Sequence, residues 1–206
     1  NAERFRGCLL SAGGVLKGKH SQLNHYFVGG DMQALARVVS PHLSEGAAKE
    51  LARIIATGKV FTLRTREADG KVLLVVKASV DGGGSDNAVA RLECEEPVPL
   101  SLPQLDALVQ EAGFLYQAKW SREREEYAYK GCALTIDKNA GYGFIAEFEK
   151  ITDDEAALSE ARAELSALMA ELGAEELPRD RLERMFAFYN AHWPEYYGTD
   201  KVFTIL

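Results

Sequence analysis

The sequence predicts an α+β fold, an antiparallel sheet with helices grouped around it, and three observations predict it. From Val60 onward apolar and charged residues alternate with a period of two: Thr62, Arg64 and Arg66 share one side of a run, and Leu73, Val75 and Lys77 share one side of the next. Turn residues separate such runs, first Ala68-Asp69-Gly70 and later Asn139, Gly141 and Gly143. Helical spacing is confined to the opening, to a stretch at about 31–58, to a short segment after Pro97 and Pro99, and to the tail from about 153.

The 206 residues predict one domain, 1–206, with a helical insertion at about 31–58 and a C-terminal helical segment at about 153–206. An apolar fraction of 47% and a charged fraction of 27% are those of an ordinary globular protein. A formal net charge of -7 argues against a nucleic-acid partner steered by global charge, and it leaves room for a local basic cavity. Cys8, Cys94 and Cys132 lack metal-type spacing and predict reduced thiols in a cytoplasmic protein. No apolar run approaches the ~18 residues of a membrane span, so no membrane partner is expected. The opening Asn1-Ala2 reads as a cloning remnant.

Taken in order, Phe5, Cys8, Leu9 and Ala12 mark a helix over 3–12, stopped at Gly13-Gly14. A Lys/Gly-rich link then leads to an extended segment, Gln22 to Val28. Asp31 caps a helix over 32–39 that Pro41 breaks, and Ser44 opens a second that Gly58 stops. Val60 to Glu67 and Lys71 to Val80 form a hairpin, the Gly82-Gly83-Gly84 run a flexible loop, and Ala88 to Glu96 a third strand. A helix over 102–112 ends at Gly113. Strands over 114–124 and 126–137 follow, with a turn at 138–141 and a return strand over 142–149. Helices over 153–172 and 179–192 close the chain, ended by Pro194 and Gly198.

The strands carry cations (Arg64, Arg66, Lys77, Arg91, Arg122, Arg124) and anions (Glu93, Glu95, Glu147, Glu149) at alternating positions. Two architectures accommodate this: a flat sheet with one solvated charged face, or a closed barrel whose wet interior holds the charges. Arginine forks suit phosphate oxygens, and carboxylate clusters suit Mg²⁺ or Mn²⁺. Taken alone, the run Arg122-Glu123-Arg124-Glu125-Glu126 reads equally as a solvated, cross-paired strand. His25 and His192 read as structural, and the aromatic tail FAFYNAHWPEYYG reads as packing. The charge-alternating helix over 153–172 reads as a cover for the sheet or as a homodimer surface.

In order along the chain come SQLNHYF, the Leu-Arg-x-Arg at Leu63 to Arg66, and KVLLVVK ending at Lys77. RLECEE at Arg91 to Glu96, KWSREREEY at Lys119 to Tyr127, and LTID with GYGFIAEFE follow. On these residues the chain resembles the CYTH superfamily of triphosphate tunnel metalloenzymes, which includes class IV adenylate cyclases, thiamine triphosphatases and inorganic triphosphatases. The resemblance implies an antiparallel closed β-barrel surrounded by helices. Its basic residues would grip a linear triphosphate, and its acidic residues would bind Mg²⁺ or Mn²⁺. Carried over by position, Arg64, Arg66, Lys77 and Arg124 contact phosphate inside one barrel. Arg122 is the alternative to Arg124, and Arg91 and Lys201 are further candidates. Glu93, Glu147 and Glu149 face the metals. Asp137, with Arg124 and Lys77, stands at the reacting centre. The family's first strand, Glu-x-Glu-x-Lys, is not reproduced by Glu3-Arg4-Phe5-Arg6 and is expected upstream.

The function implied is metal-dependent hydrolysis of a linear triphosphate, either inorganic or carried by a small molecule or nucleotide. The alternatives are a class IV type adenylate cyclase, making cyclic AMP and pyrophosphate from ATP, and a non-catalytic binder of polyphosphate or nucleotide. Hydrolysis is favoured because no residue set in the sequence can be assigned to seating adenine.

Overall fold

Asp69 and Gly70 both adopt positive φ, 51° and 76°, which is the backbone of a tight hairpin turn, and they join β2 (Val60–Ala68) to β3 (Lys71–Ser79). The computed structural model describes residues 2–79, 91–151 and 158–205. The remaining elements among these are α1 (Ala2–Ser11), β1 (Val15–Gly29), α2 (Met32–Val39), α3 (Glu45–Thr57), β4 (Arg91–Val98) and α4 (Leu102–Glu111). After them come β5 (Phe114–Tyr129), β6 (Cys132–Asn139), β7 (Gly143–Glu149), α5 (Leu158–Glu171) and α6 (Arg179–Tyr196). The hydrogen-bonded order is β4-β3-β2-β1-β5-β6-β7, an antiparallel sheet accompanied by helices, which makes the fold α+β. The expected Gly82-Gly83-Gly84 loop, the start of the third strand and the start of the 153–172 helix lie outside the described residues.

The chain divides into two compact units, residues 22–121 and residues 1–21 with 122–206. Strands β1 and β5 run through both. In the first unit α2, α3 and α4 cover one face of the sheet. Leu35, Val39, Leu51, Ile54, Leu63, Leu74, Val76, Leu105 and Val109 are buried there with Phe27 and Phe114. Asp31 caps α2, accepting from the Gln33 and Ala34 amides, and Ser44 caps α3 through Ala47. Burying one such leucine or isoleucine contributes about 1.5–3 kcal/mol, so this cluster fixes the unit.

In the second unit α1 and α5 cover β5, β6 and β7. Leu9, Tyr127, Tyr129, Leu134, Ile136, Leu168 and Leu172 form the core, with Phe5 and Phe148 at its margin. At the β6–β7 turn Gly141 has φ 88°, and a Cβ there would lie 2.6 Å from the Tyr189 ring of α6, so only glycine fits. Its amide donates to the Lys201 carbonyl, and its carbonyl accepts from Phe203, which stitches the tail to the turn. The aromatic tail therefore packs, with Tyr142 and Phe203 against Tyr189 and its neighbours.

Three boundaries differ from the sequence reading. The Lys/Gly-rich link at 15–21 is part of β1, where Lys19 meets Glu125 at 2.8 Å and His20 stands 3.6 Å from Glu126. Cross-strand charge pairs do there what apolar alternation does elsewhere. β5 passes through Glu125 without a break, and the turn comes at Lys130-Gly131, whose φ values of 47° and 79° match the turn at Asp69-Gly70. Helix α6 continues through Pro194 to Tyr196, where the Tyr197 amide donates to the Trp193 carbonyl and completes the last turn.

Candidate functional site

Residues directly opposite in an antiparallel pair point to the same side of the sheet. In the 22–121 unit Asn24 faces Arg66 and Tyr26 faces Arg64. Arg64 in turn faces Val75, Thr62 faces Lys77, and Lys77 faces Glu93. One face of this sheet therefore carries Arg64, Arg66 and Lys77 with Glu93 and Glu95, as the alternation predicts. Arg66 donates to Glu95 at 2.5 Å and to the Asn24 side-chain oxygen at 2.9 Å, and Lys77 pairs with Glu93 at 2.9 Å.

Arg64 is held differently. It donates to the Tyr26 hydroxyl at 2.8 Å, and its guanidinium lies 5.6 Å from the centre of the Tyr26 ring. Its Nε is buried with no hydrogen-bond partner, and no carboxylate among the described residues pairs with it. A desolvated guanidinium donor without an acceptor is costly, and an anion meets that need. Tyr26 itself lies beside Trp120, their ring centres 5.9 Å apart and their planes inclined at 56°.

The reverse face of the same strands is tied down by a buried polar network. The Asp106 carboxylate of α4 lies 2.6 Å from His25 Nδ1 and accepts from Thr65 at 2.6 Å and from Tyr116 at 2.7 Å. Burial alone raises the Asp106 pKa. The hydrogen bonds from His25, Thr65 and Tyr116 outweigh burial and hold it below the usual carboxylate range. His25 is structural, as its sequence context suggests. Thr65 sits between Arg64 and Arg66 in the chain, so this network fixes the strand from which both arginines project.

The other unit gathers Arg122, Arg124, Asp137 and Glu147. Arg124 is opposite Asp137 in the β5–β6 register, and Thr135 is opposite Glu147 in the next. Asp137, 1% exposed, accepts from Arg124 Nε at 2.7 Å, Arg124 Nη2 at 2.6 Å and Arg122 at 2.8 Å. Arg124 also reaches Glu147 at 2.9 Å. Burial lowers the Arg124 pKa, but Asp137, with Glu147 and Glu126 behind it, more than reverses this and leaves the pKa raised. On the opposite side of β5, Glu125 takes hydrogen bonds from Arg6, Lys19 and Tyr127. Burial raises its pKa, and those three partners pull it down to about 2. This cluster anchors α1 and was not legible as a site.

The other expected site residues are placed as follows. Glu149 is exposed on β7 opposite Ala133, and Lys201 is exposed in the tail. Arg91 lies in β4 opposite Ser79, and the expectation for its side chain falls outside the described residues. Among the described residues no group of three or more metal-ligating side chains gathers. Glu147 and Glu149 nevertheless share a face of β7, and both are exposed. A hard cation that keeps several waters and takes phosphate oxygens needs only one or two such carboxylates, so this donor chemistry fits Mg²⁺ or Mn²⁺. A cavity of about 640 Å³ in this unit, lined mainly by Phe5, Cys8, Ile136, Phe144, Ala146 and Leu172, lacks a cation cluster, and none of Arg122, Arg124, Asp137, Glu147 and Glu149 lines it.

Known proteins share this fold. A protein of Pyrococcus horikoshii superposes with a TM-score of 0.60 at 18% identity, over 85% of this chain and 87% of its own. A candidate adenylate cyclase of Vibrio parahaemolyticus gives 0.57 at 18% identity, over 89% and 92%. A candidate adenylyl cyclase from Hippeastrum, described as having a dominant triphosphatase activity, gives 0.51 at 17% identity, over 89% and 90%. At such identities these are likenesses of fold. No curated protein sequence matches the chain. Among the described residues no helix is long and apolar enough to cross a membrane. The CYTH domain profile matches residues 57–181, more than half of the 206, and the chain belongs to the CYTH family of triphosphate-tunnel enzymes.

Proposed function

We propose that this protein is a divalent-metal-dependent phosphohydrolase acting on a linear triphosphate. The observation that supports it most is Arg64, a partly buried guanidinium with an unmet Nε, no carboxylate partner among the described residues, and Arg66 and Lys77 on the same strand face. A phosphate oxygen supplies the missing acceptor. Arg66 and Lys77 are each shared with one glutamate, and an incoming polyanion competes with Glu95 and Glu93 for them.

In this reading Arg64, Arg66, Lys77, Arg122 and Arg124 bind and orient phosphate oxygens and stabilise charge on the transferring phosphoryl group. Arg91 and Lys201 extend the set. Asp137 acts through the arginines, because both of its oxygens are engaged by them and the residue is almost fully enclosed. Glu147, Glu149 and Glu93 would hold the metal. Bound Mg²⁺ or Mn²⁺ neutralises phosphate oxygens and lowers the pKa of the attacking water. Three free thiols suit a cytoplasmic enzyme, and the substrate is a small molecule.

Incubation with tripolyphosphate or ATP, with Mg²⁺, Mn²⁺ or neither, tests this. Metal-dependent phosphate release that falls at least tenfold in Arg64→Ala is expected. Cyclic AMP with pyrophosphate as the main products from ATP makes the protein a cyclase instead, and binding without turnover makes it a non-catalytic binder.

A further inference from the structure

We infer that Glu95 is a displaceable counterion on Arg66, and that it makes the site take a linear polyphosphate as its complex with a divalent cation in preference to the free polyanion. The inference rests on the triphosphate reading above and brings to that site a residue outside the phosphate and metal sets already named.

The two arginines of β2 are held unequally. Glu95 stands in the same cross-strand row as Arg64, since Arg64 is opposite Val75 and Val75 is opposite Glu95. Its carboxylate nevertheless goes to Arg66, two residues further along β2, at 2.5 Å. Val75, between Arg64 and Glu95 in that row, is fully enclosed. Arg64 thus stays open to an anion, whereas Arg66 already carries one. The Arg66 and Glu95 side chains are 11% and 32% exposed, so water and salt screen this pair less than they screen a surface ion pair.

Arg66 also has a second, neutral anchor. Its Nε donates to the Asn24 side-chain oxygen at 2.9 Å, while Nη1 is the nitrogen that meets Glu95. Asn24 is 3% exposed and lies opposite Arg66 in the β1–β2 register, so backbone pairing sets its place. Because the two contacts use different nitrogens, Glu95 can leave without releasing the guanidinium from Asn24. A phosphate oxygen then accepts from Nη1 with Arg66 already oriented, and little further ordering is needed.

The displaced carboxylate creates the preference. It stays on the same sheet face as the incoming phosphates, and like charges brought together in a partly enclosed site repel strongly. Glu93, two residues earlier on β4, meets the same situation once Lys77 turns to phosphate. Both carboxylates are compensated only when the polyphosphate brings a divalent cation with it. Metal and phosphate therefore bind with positive coupling, and Glu95 carries part of it.

The test measures tripolyphosphate binding by calorimetry, in chelator and in Mg²⁺, for the intact chain, Glu95→Gln and Asn24→Ala. Removing a like charge from beside the phosphates should let Glu95→Gln bind metal-free tripolyphosphate about tenfold more tightly than the intact chain does. The gain in affinity from Mg²⁺ should shrink by about the same factor. Asn24→Ala should weaken binding in both media alike and leave that gain as it is. An unchanged gain in Glu95→Gln, with tripolyphosphate still bound, overturns the counterion role and leaves the triphosphate reading standing. Weaker binding by Glu95→Gln in both media makes Glu95 a plain anchor of Arg66 and overturns the role as well. A gain that Asn24→Ala reduces as much as Glu95→Gln does overturns the division between the two contacts. Absence of binding by the intact chain in either medium overturns both readings together.

Discussion

Asp137 accepts two hydrogen bonds from one edge of the Arg124 guanidinium, at 2.7 and 2.6 Å, and a third from Arg122 at 2.8 Å. A buried carboxylate so occupied is a bracket for two arginines. Asp137→Asn keeps the shape and loses the charge, leaving cations in a part-buried site. A loss of about 3–5 kcal/mol is the scale for breaking such a pair. We expect a clear drop in the urea midpoint together with a raised KM for tripolyphosphate. Unchanged stability and KM would remove the bracket from the account.

Arg64 gives the opposite pattern. It has no carboxylate to lose, so Arg64→Gln should alter stability by no more than about 0.5–1 kcal/mol. Its phosphate contact is charge-assisted and worth about 1.5–3 kcal/mol, so tripolyphosphate binding measured by calorimetry should weaken roughly ten- to a hundredfold. A variant that unfolds, or one that binds normally, contradicts the assignment.

Glu147→Gln should affect metal activation more than folding. Its side chain is 58% exposed, and its pairing with Arg124 is of the kind worth about 0–1 kcal/mol. The Mg²⁺ concentration for half-maximal activity should rise while the melting temperature moves by only a few degrees. An unshifted metal curve would make this acidic face ordinary solvated surface.

Acid stability reports on Glu125. Its carboxyl is held at about 2, below the ordinary 4.5. A depressed folded pKa means that the stabilisation is fully present above about 4.5, and that it drains away as pH falls from there toward 2. Denaturant midpoints should therefore decline across that window, and Glu125→Gln should flatten this part of the decline while lowering stability at neutral pH. The readout is a urea midpoint series from pH 6 to the acid limit in both proteins.

The strand faces were the most legible part of this molecule. A period of two over Thr62, Arg64 and Arg66 fixes their common side whatever the partner strand, and the hairpin register then adds Lys77 and Glu93. Val15 to Ser21 escaped because Lys17, Gly18 and Lys19 have little strand propensity, and what pairs them is charge on a strand about a hundred residues later in the sequence. The Asp106 network joins residues 25, 65, 106 and 116, a set of contacts that only the folded chain defines. His25 could be read as structural, but its partner could not be named.

That network has a consequence for any mutational scan scored by growth or turnover. Asp106 touches no proposed substrate contact. Its loss would nevertheless free Thr65 and let the backbone shift beneath Arg64 and Arg66. Damage there would register as failed phosphate binding, and a ranking by phenotype alone would file Asp106 and His25 beside the arginines. Soluble yield measured in parallel would separate them: variants of the network should lose yield and activity together, whereas Arg64 variants should lose activity alone.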